Sequence, residues 1–190
     1  ILTAIGENIY VGQSPNAWID KTVAELISNL AGVSNQSLRN TKLSGNWMTY
    51  SKSMECLDLL YKGVSRLVEV LQHLELSIDG GKDSLSMVMK KDENEIISPP
   101  SLVLTSYSQL EEISIERRVL PLLTSIHESR LYVINIMKYL TLDDYNGLKT
   151  VWDNIQKLIY DGVILALHDG GNILDILEEM ALVKIGRAHV

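Results

Sequence analysis

Residues 57–89 read LDLLYKGVSRLVEVLQHLELSIDGGKDSLSMVM, and hydrophobic side chains repeat with different periods in the two halves of this stretch. Leu57, Leu60, Val64, Leu67, Leu71 and Leu74 recur at three- and four-residue steps, the spacing of one apolar helix face. The stripe lasts under three heptads, so it reads as a core-facing helix and not a coiled-coil seam. Gly63 in its middle costs about 1 kcal/mol relative to alanine. After Leu76–Ile78 and the turn-like Asp79-Gly80-Gly81 the period changes. Ser84-Leu85-Ser86-Met87-Val88-Met89 alternates, as a half-buried strand does. A helix leading through glycines into a strand predicts mixed α and β.

Outward from there the alternation of elements continues. Toward the start, Ile1–Ile5 reads as the end of a strand. Ser14 then suits a helix N-cap and Pro15 its first position, with Ile19, Val23, Leu26, Ile27 and Leu30 at helical spacing and Gly32 placed to stop it. A short strand is expected around Leu43. Toward the end, the polar loop Lys90–Glu95 and Pro99-Pro100 lead into a strand over Leu102–Tyr107. Charges up to Pro121 suggest a boundary, dividing the chain into 1–110 and 111–183. Beyond it the pattern predicts a strand at Leu131–Ile134 and a helix over Leu142–Tyr160 with Leu148, Val151, Ile155, Leu158 and Ile159 on one face. A buried strand at Val163–Leu167, a turn at His168–Gly171 and a helix over Asn172–Leu182 complete the pattern. The fold class is mixed α/β (α+β), without repeats.

Composition sets the outer bounds. The chain has 190 residues, 46% hydrophobic and 22% charged, which is globular and not disordered. A net charge of −7 disfavours a surface that tracks nucleic-acid phosphates. Cys56 is the single cysteine, so no internal disulfide forms and a reducing, cytoplasmic setting is expected. No apolar run approaches the roughly 18 residues of a membrane span. The chain opens at Ile1 and not at Met, so a preceding segment is expected. Ile185-Gly186-Arg187-Ala188-His189-Val190 matches what a common sequencing adapter encodes in one frame. Residues 184–190 are therefore expected to be an adapter-derived tail, and His189 no ligand.

Three places could carry chemistry. Glu25 and Asn29 are four apart on the first helix and share a face, where two oxygens suit a hard cation such as Mg2+ as well as they suit water on a polar face. Asp79-Gly80-Gly81-Lys82-Asp83-Ser84 offers close backbone approach, a cation and a hydroxyl to an anion, or else forms an ordinary hairpin. Walker-loop spacing is absent from it. His168-Asp169-Gly170-Gly171 comes after an expected strand and precedes an expected helix, where anions and metals bind in α/β folds, and where a histidine equally caps and fills. Cys56, His73 and His127 lack partners at ligand or triad spacing, and no nucleophile elbow is present. Trp18, Trp47 and Trp152 read as packing residues.

Two strings are distinctive together: Lys42-Leu43-Ser44-Gly45-Asn46-Trp47-Met48 and Asp79-Gly80-Gly81-Lys82-Asp83-Ser84-Leu85-Ser86-Met87. With Ile5-Gly6-Glu7, Ala24–Leu30, Ser101–Tyr107 and His168-Asp169 they give a chain that resembles the phosphoribosylformylglycinamidine synthase family up to about Val183. The resemblance implies a fragment from the second of two halves, each similar to aminoimidazole ribonucleotide synthetase. Residues 1–110 would be the end part of that half's N-terminal subdomain and 111–183 the start of its C-terminal one. It implies an ATP-dependent ligase of purine biosynthesis that makes formylglycinamidine ribonucleotide from formylglycinamide ribonucleotide, with glutamine as ammonia source. It further implies an auxiliary Mg2+–ATP/ADP site with Glu25, Asn29 and Asp169 as metal ligands and Lys82 near the anion. The reacting residues would lie outside this chain, and the fragment would pack on missing domains of the same protein.

The sequence also departs from the family pattern. Ser51-Lys52-Ser53-Met54-Glu55 lacks the glycines expected before the second helix. Asn135–Leu140 reaches Thr141 without a glycine-rich segment, and His168-Asp169-Gly170-Gly171-Asn172 lacks a nucleotide-contacting serine. These losses favour an alternative, a catalytically inactive homologue serving as a protein-interaction scaffold, as in viral tegument proteins. A pseudogene or a misassembled read is a third reading.

Overall fold

Ser14 sits in extended conformation before Pro15, and its Oγ accepts a hydrogen bond from the Ala17 amide at 3.1 Å. Helix α1 thereby starts where a hydroxyl cap and a proline place it, and runs Pro15–Leu30. The computed structural model describes residues 1–32, 37–109, 119, 130 and 132–167. Before α1 lies strand β1 (Leu2–Ile9); after it, a short 3-10 turn (Leu38–Asn40) leads into β2 (Thr41–Met48). Helix α2 (Met54–Leu74) is capped by Ser53 and stops at Glu75, whose φ of 60° is left-handed. Strands β3 (Ser77–Ser84), β4 (Val88–Lys91), β5 (Asn94–Ile97) and β6 (Ser101–Ser108) come next, then helices α3 (Ile136–Thr141) and α4 (Tyr145–Tyr160).

Four strands form one sheet in the order β1-β6-β2-β3. β6 is antiparallel to both neighbours, whereas β2 and β3 are parallel. Parallel neighbours need a crossover, and α2 is that crossover. Alternation decides which face it covers. Leu43, Gly45 and Trp47 of β2 and Leu102 and Leu104 of β6 are buried beneath the helices, while Lys42, Ser44 and Asn46 belong to the opposite face. That opposite face keeps Ile5, Ile9 and Tyr107 exposed. The sheet is therefore covered on one side, the two-layer form of a mixed α/β domain.

Trp18 anchors the layers. It is fully buried, meets Trp47 edge-on with ring centroids 5.8 Å apart, and donates from Nε1 to the Asn8 carbonyl at 3.0 Å. Gly63 of α2 faces this ring, where a Cβ would stand 3.1 Å from Trp18 Cζ3. The glycine that weakens the helix on propensity is the one that admits the tryptophan. The buried stripe of α2 accordingly runs through Cys56, Leu59, Gly63, Leu67, Val70, Leu71 and Leu74. Leu57 and Leu60 are half-buried and Val64 is exposed, so the first half of the stripe is rotated from the leucine spacing.

Several local expectations change. Asp79-Gly80-Gly81-Lys82-Asp83-Ser84 is not a turn between strands but most of β3 itself, because Gly81 can approach the Gly45 backbone. The alternating run Ser84–Met89 is divided: Ser84 ends β3, and Val88 and Met89 begin a hairpin with β5 whose turn lies in the polar Lys90–Glu95 segment. Residues 132–134 have no regular structure, and Leu131 lies outside the described residues. Val163–Leu167 is neither strand nor buried; its backbone is irregular and its side chains are half-buried to exposed. The turn at His168 and the last helix fall outside the described residues. The strand at Leu102–Tyr107 is present as β6, and the helix expected over Leu142–Tyr160 is α4, beginning at Tyr145.

Helices α3 and α4 pack on the α1–α2 layer. Leu140, Leu148, Trp152, Ile155 and Ile159 belong to the same apolar core as α1 and the sheet. Within it lies Arg66 of α2, only 5% exposed. Its Nε and Nη2 donate to Asp20 of α1 at 2.9 and 3.2 Å, and Nη2 also donates to the Leu140 carbonyl at 2.9 Å. Nη1 reaches Glu69 at 3.1 Å and Asp143 at 2.8 Å. Burial works to lower the Arg66 guanidinium, but its Asp20, Asp143 and Glu69 partners outweigh it and hold the group above its ordinary value.

Gly6 of β1 allows α1 to touch the sheet. A Cβ there would lie 2.2 Å from the Thr22 carbonyl oxygen and 2.6 Å from the Leu26 amide, both backbone atoms of α1. Gly6→Ala is expected to push α1 off β1 and to destabilise by about 3 kcal/mol, the upper range for overpacking. A urea titration checks this; an unchanged midpoint would show that the contact is not tight.

Candidate functional site

Glu25 and Asn29 lie on the side of α1 that passes the free edge of β1. β1 is the terminal strand of its sheet, so its outward backbone groups lack a strand partner among the described residues. Glu25 Oε2 accepts from the Glu7 amide at 2.9 Å, and Asn29 Nδ2 donates to the Ile5 carbonyl at 2.8 Å. The i, i+4 spacing thus meets an i, i+2 spacing on the strand, and the two side chains clip helix to edge. Each keeps one oxygen, Glu25 Oε1 and Asn29 Oδ1, with no hydrogen bond among the described residues. One carboxylate oxygen and one amide oxygen are suitable donors for Mg2+, though fewer than its octahedral shell needs. No cluster of three or more His, Cys, Asp or Glu occurs among the described residues. Asp169, the third expected metal ligand, lies outside them.

Lys82 is elsewhere. It is exposed on β3, opposite Asn46 of β2, and its Nζ donates to Ser84 Oγ at 2.9 Å. β1 and β3 are the two opposite edges of the sheet, three strand spacings or about 14 Å apart. The structure brings Glu25 and Asn29 together but does not bring Lys82 to them.

The two glycines of that segment differ in use. A Cβ on Gly81 would lie 2.1 Å from the Gly45 carbonyl oxygen, whereas one on Gly80 would meet nothing within 4 Å. Gly81 serves strand-to-strand approach. Asp79, at the shift in β2–β3 register, accepts a hydrogen bond from the Tyr107 hydroxyl, which raises the pKa of that hydroxyl. Between α2 and β3 opens a cleft of about 400 Å3 with Trp47, Leu60, Val64, Ile78 and Leu85 in its wall and Lys82 at the polar side.

Sequence reasoning passed over the contacts that β1 makes with α1, although Gly6 between Ile5 and Glu7 was a signal for close backbone approach. It also passed over Arg66, a lone cation beside an apolar stripe, and over Asn46 Oδ1 and Thr49 Oγ1. Those two oxygens are buried near the ends of β2 and β3 without hydrogen-bond partners among the described residues.

A one-sided mixed sheet with a βαβ crossover, its first helix clipped to the edge strand by a carboxylate and an amide, defines a two-layer α/β domain. The family model described as "FGAR-AT PurM_N-like domain" matches residues 2–109, β1 through β6, and the chain belongs to that family. Relatives agree. A probable phosphoribosylformylglycinamidine synthase, chloroplastic/mitochondrial, of Arabidopsis thaliana is 30% identical over 92% of this chain and 14% of its own length. The phosphoribosylformylglycinamidine synthase of Drosophila melanogaster is 36% identical over 61% of this chain and 9% of its own. That of Saccharomyces cerevisiae is 29% identical over 93% and 16%. The chain thus spans under a fifth of the length of these relatives. No described helix is long and apolar enough to cross a membrane.

The clip has a direct test. Asn29→Asp replaces the Nδ2 donor with an oxygen facing the Ile5 carbonyl and is expected to destabilise by about 2 kcal/mol, against about 1 kcal/mol for Glu25→Gln. Thermal or urea unfolding of both variants reads the difference. Equal stability of all three proteins would mean that the side chains point to solvent.

Proposed function

We propose that this chain is part of a phosphoribosylformylglycinamidine synthase in which it carries an auxiliary Mg2+–nucleotide site rather than the reacting groups. The whole protein would join glutamine-derived ammonia to formylglycinamide ribonucleotide with ATP, in the cytoplasm. The observation that carries the site is the pair of spare oxygens, Glu25 Oε1 and Asn29 Oδ1, on side chains already fixed by their bonds to β1. Such fixing lowers the entropy lost when a cation is bound. Asp169 is proposed as the third ligand. Lys82, at the other edge of the sheet, is proposed to meet an anion only at long range.

Bound there, Mg2+ and its nucleotide would supply a fixed counter-charge that ties α1 to whatever holds the phosphates. The residues of this chain would orient it. Glu25 contributes charge and Asn29 a neutral oxygen, and Gly6 keeps both helix and strand close enough for the clip to form. Asn29 and Gly6 have no titratable group and the Glu25 carboxylate is engaged by the Glu7 amide, which supports an architectural part. The open face of the sheet, with Ile5, Ile9 and Tyr107 exposed, is proposed to rest on another domain of the same protein.

One observation favours the scaffold reading. Both side chains already serve β1, so the clip would survive loss of the nucleotide. Calorimetric titration of Mg–ADP into the full-length protein separates the two. Saturable binding that is lost in Glu25→Ala, in a variant that still melts cooperatively, supports the auxiliary site. Absence of heat with the folded parent protein would rule it out and leave the scaffold.

A further inference from the structure

We propose that α3–α4 is a separately opening strap, latched to the sheet domain by Arg66 and free to undock while that domain stays folded. The strap, Ile136–Tyr160, packs on the outside of the α1–α2 layer. Among the described residues no backbone ladder ties it to the sheet, and residues 132–135 and 161–167 on either side are outside regular structure. Its polar links to the sheet domain among the described residues run through side chains. Gln156 Nε2 donates to the Ala31 carbonyl at 3.3 Å, the Leu140 carbonyl accepts from Arg66 at 2.9 Å, Asp143 pairs with Arg66 at 2.8 Å and Lys149 Nζ stands 3.7 Å from Glu75 Oε2. By contrast β1, β2, β3 and β6 hold each other through continuous pairing, and α1 is wedged between them and α2. Leu140, Leu148, Trp152, Ile155 and Ile159 add an apolar seam to the strap's links, and a unit docked by side chains without a ladder opens before units held by ladders.

The latch sits at the bend between α3 and α4. Asp143 there has a left-handed φ of 53°, so the turn presents its carboxylate to Arg66 Nη1 at 2.8 Å and also accepts from the Tyr145 hydroxyl at 3.1 Å. Tyr145 in turn stacks on His73 of α2, ring centroids 4.4 Å apart. Arg66 bonds to α1, α2 and the strap at once. Asp20 fixes two of its nitrogens from the α1 side, so the guanidinium is already aimed at the bend when the strap arrives. Asp20 and Glu69 remain as partners when the strap leaves, so Arg66 is not left as a lone buried charge in the open state. Asp143, more than half exposed, regains water.

Hydrogen exchange read by mass spectrometry on the full-length protein tests this with two variants. Asp143→Asn keeps the left-handed turn and the bond from Tyr145 but loses the charge. Arg66→Lys keeps the charge but loses the fork. Asp143→Asn is expected to raise exchange in peptides covering Ile136–Tyr160 about tenfold, with peptides of β6 and α1 unchanged. Arg66→Lys, which also loses its fork to Asp20, is expected to raise exchange in Ile136–Tyr160 at least as much and in α1 less, with β6 unchanged. Equal acceleration in all peptides would show one cooperative unit and overturn the strap. Unchanged exchange in both variants would overturn the latch.

Discussion

The contact of α1 with β1 at Gly6 sets the position of most other elements in the domain. Helices packed on sheets normally stand off by a layer of side chains, but here the Thr22 carbonyl and Leu26 amide lie where a Cβ at residue 6 would be. Bringing the helix so close lets Glu25 and Asn29 reach past the strand edge to the Ile5 and Glu7 backbone. It also presses Trp18 against Trp47 and against the gap left by Gly63. Two glycines, one in a strand and one in a helix, thus weaken their own elements and tighten the join between them. Loss of local propensity is offset by burial of a whole tryptophan.

This arrangement explains why a pair with the look of a metal site does structural work. An edge strand needs its outward groups satisfied or shielded. A carboxylate and an amide four residues apart on a closely packed helix meet an amide and a carbonyl two residues apart on a strand. The same chemistry that satisfies the edge leaves one oxygen of each side chain over, so binding and bracing are not exclusive. Lys82 and the glycines of β3 belong to a different problem. Gly81 lets β3 lie beside Gly45, which makes the parallel pair and hence the βαβ unit possible.

How much of the fold was legible in the sequence depends on the range of each interaction. Ser14-Pro15 defines the start of α1 within one turn, and it is found there. The α2 helix was equally readable, but which of its faces is buried was not. Leucine spacing pointed to Leu57, Leu60 and Val64, whereas Trp18 selects the face of Gly63. The Asp79–Ser84 segment reads as a turn because two glycines in sequence usually make one. Only the distant Gly45 backbone turns that flexibility into a strand. Val163–Leu167 has the apolar run of a buried strand but pairs with no strand among the described residues. The pairing of Glu25 with Asn29 was legible from a helix alone; their hold on β1 was not, since it depends on Gly6, eighteen or more residues away.

Arg66 shows the limit of pattern reading from the other side. A positive charge beside the apolar residues of α2 would be expected to reach solvent along the helix surface. It stays buried because three elements each bring an acceptor: the Asp20 carboxylate from α1, Glu69 from its own helix, and the Leu140 carbonyl with Asp143 from the α3–α4 bend. Burial raises the Asp20 carboxyl pKa even beside the guanidinium, a sign of the desolvation that the pair has to offset. Its physical consequence is geometric. An apolar residue at position 66 would pack against α1 equally well, but it would not prefer one placement of the α3–α4 bend over another. A guanidinium does, because its donors have fixed directions.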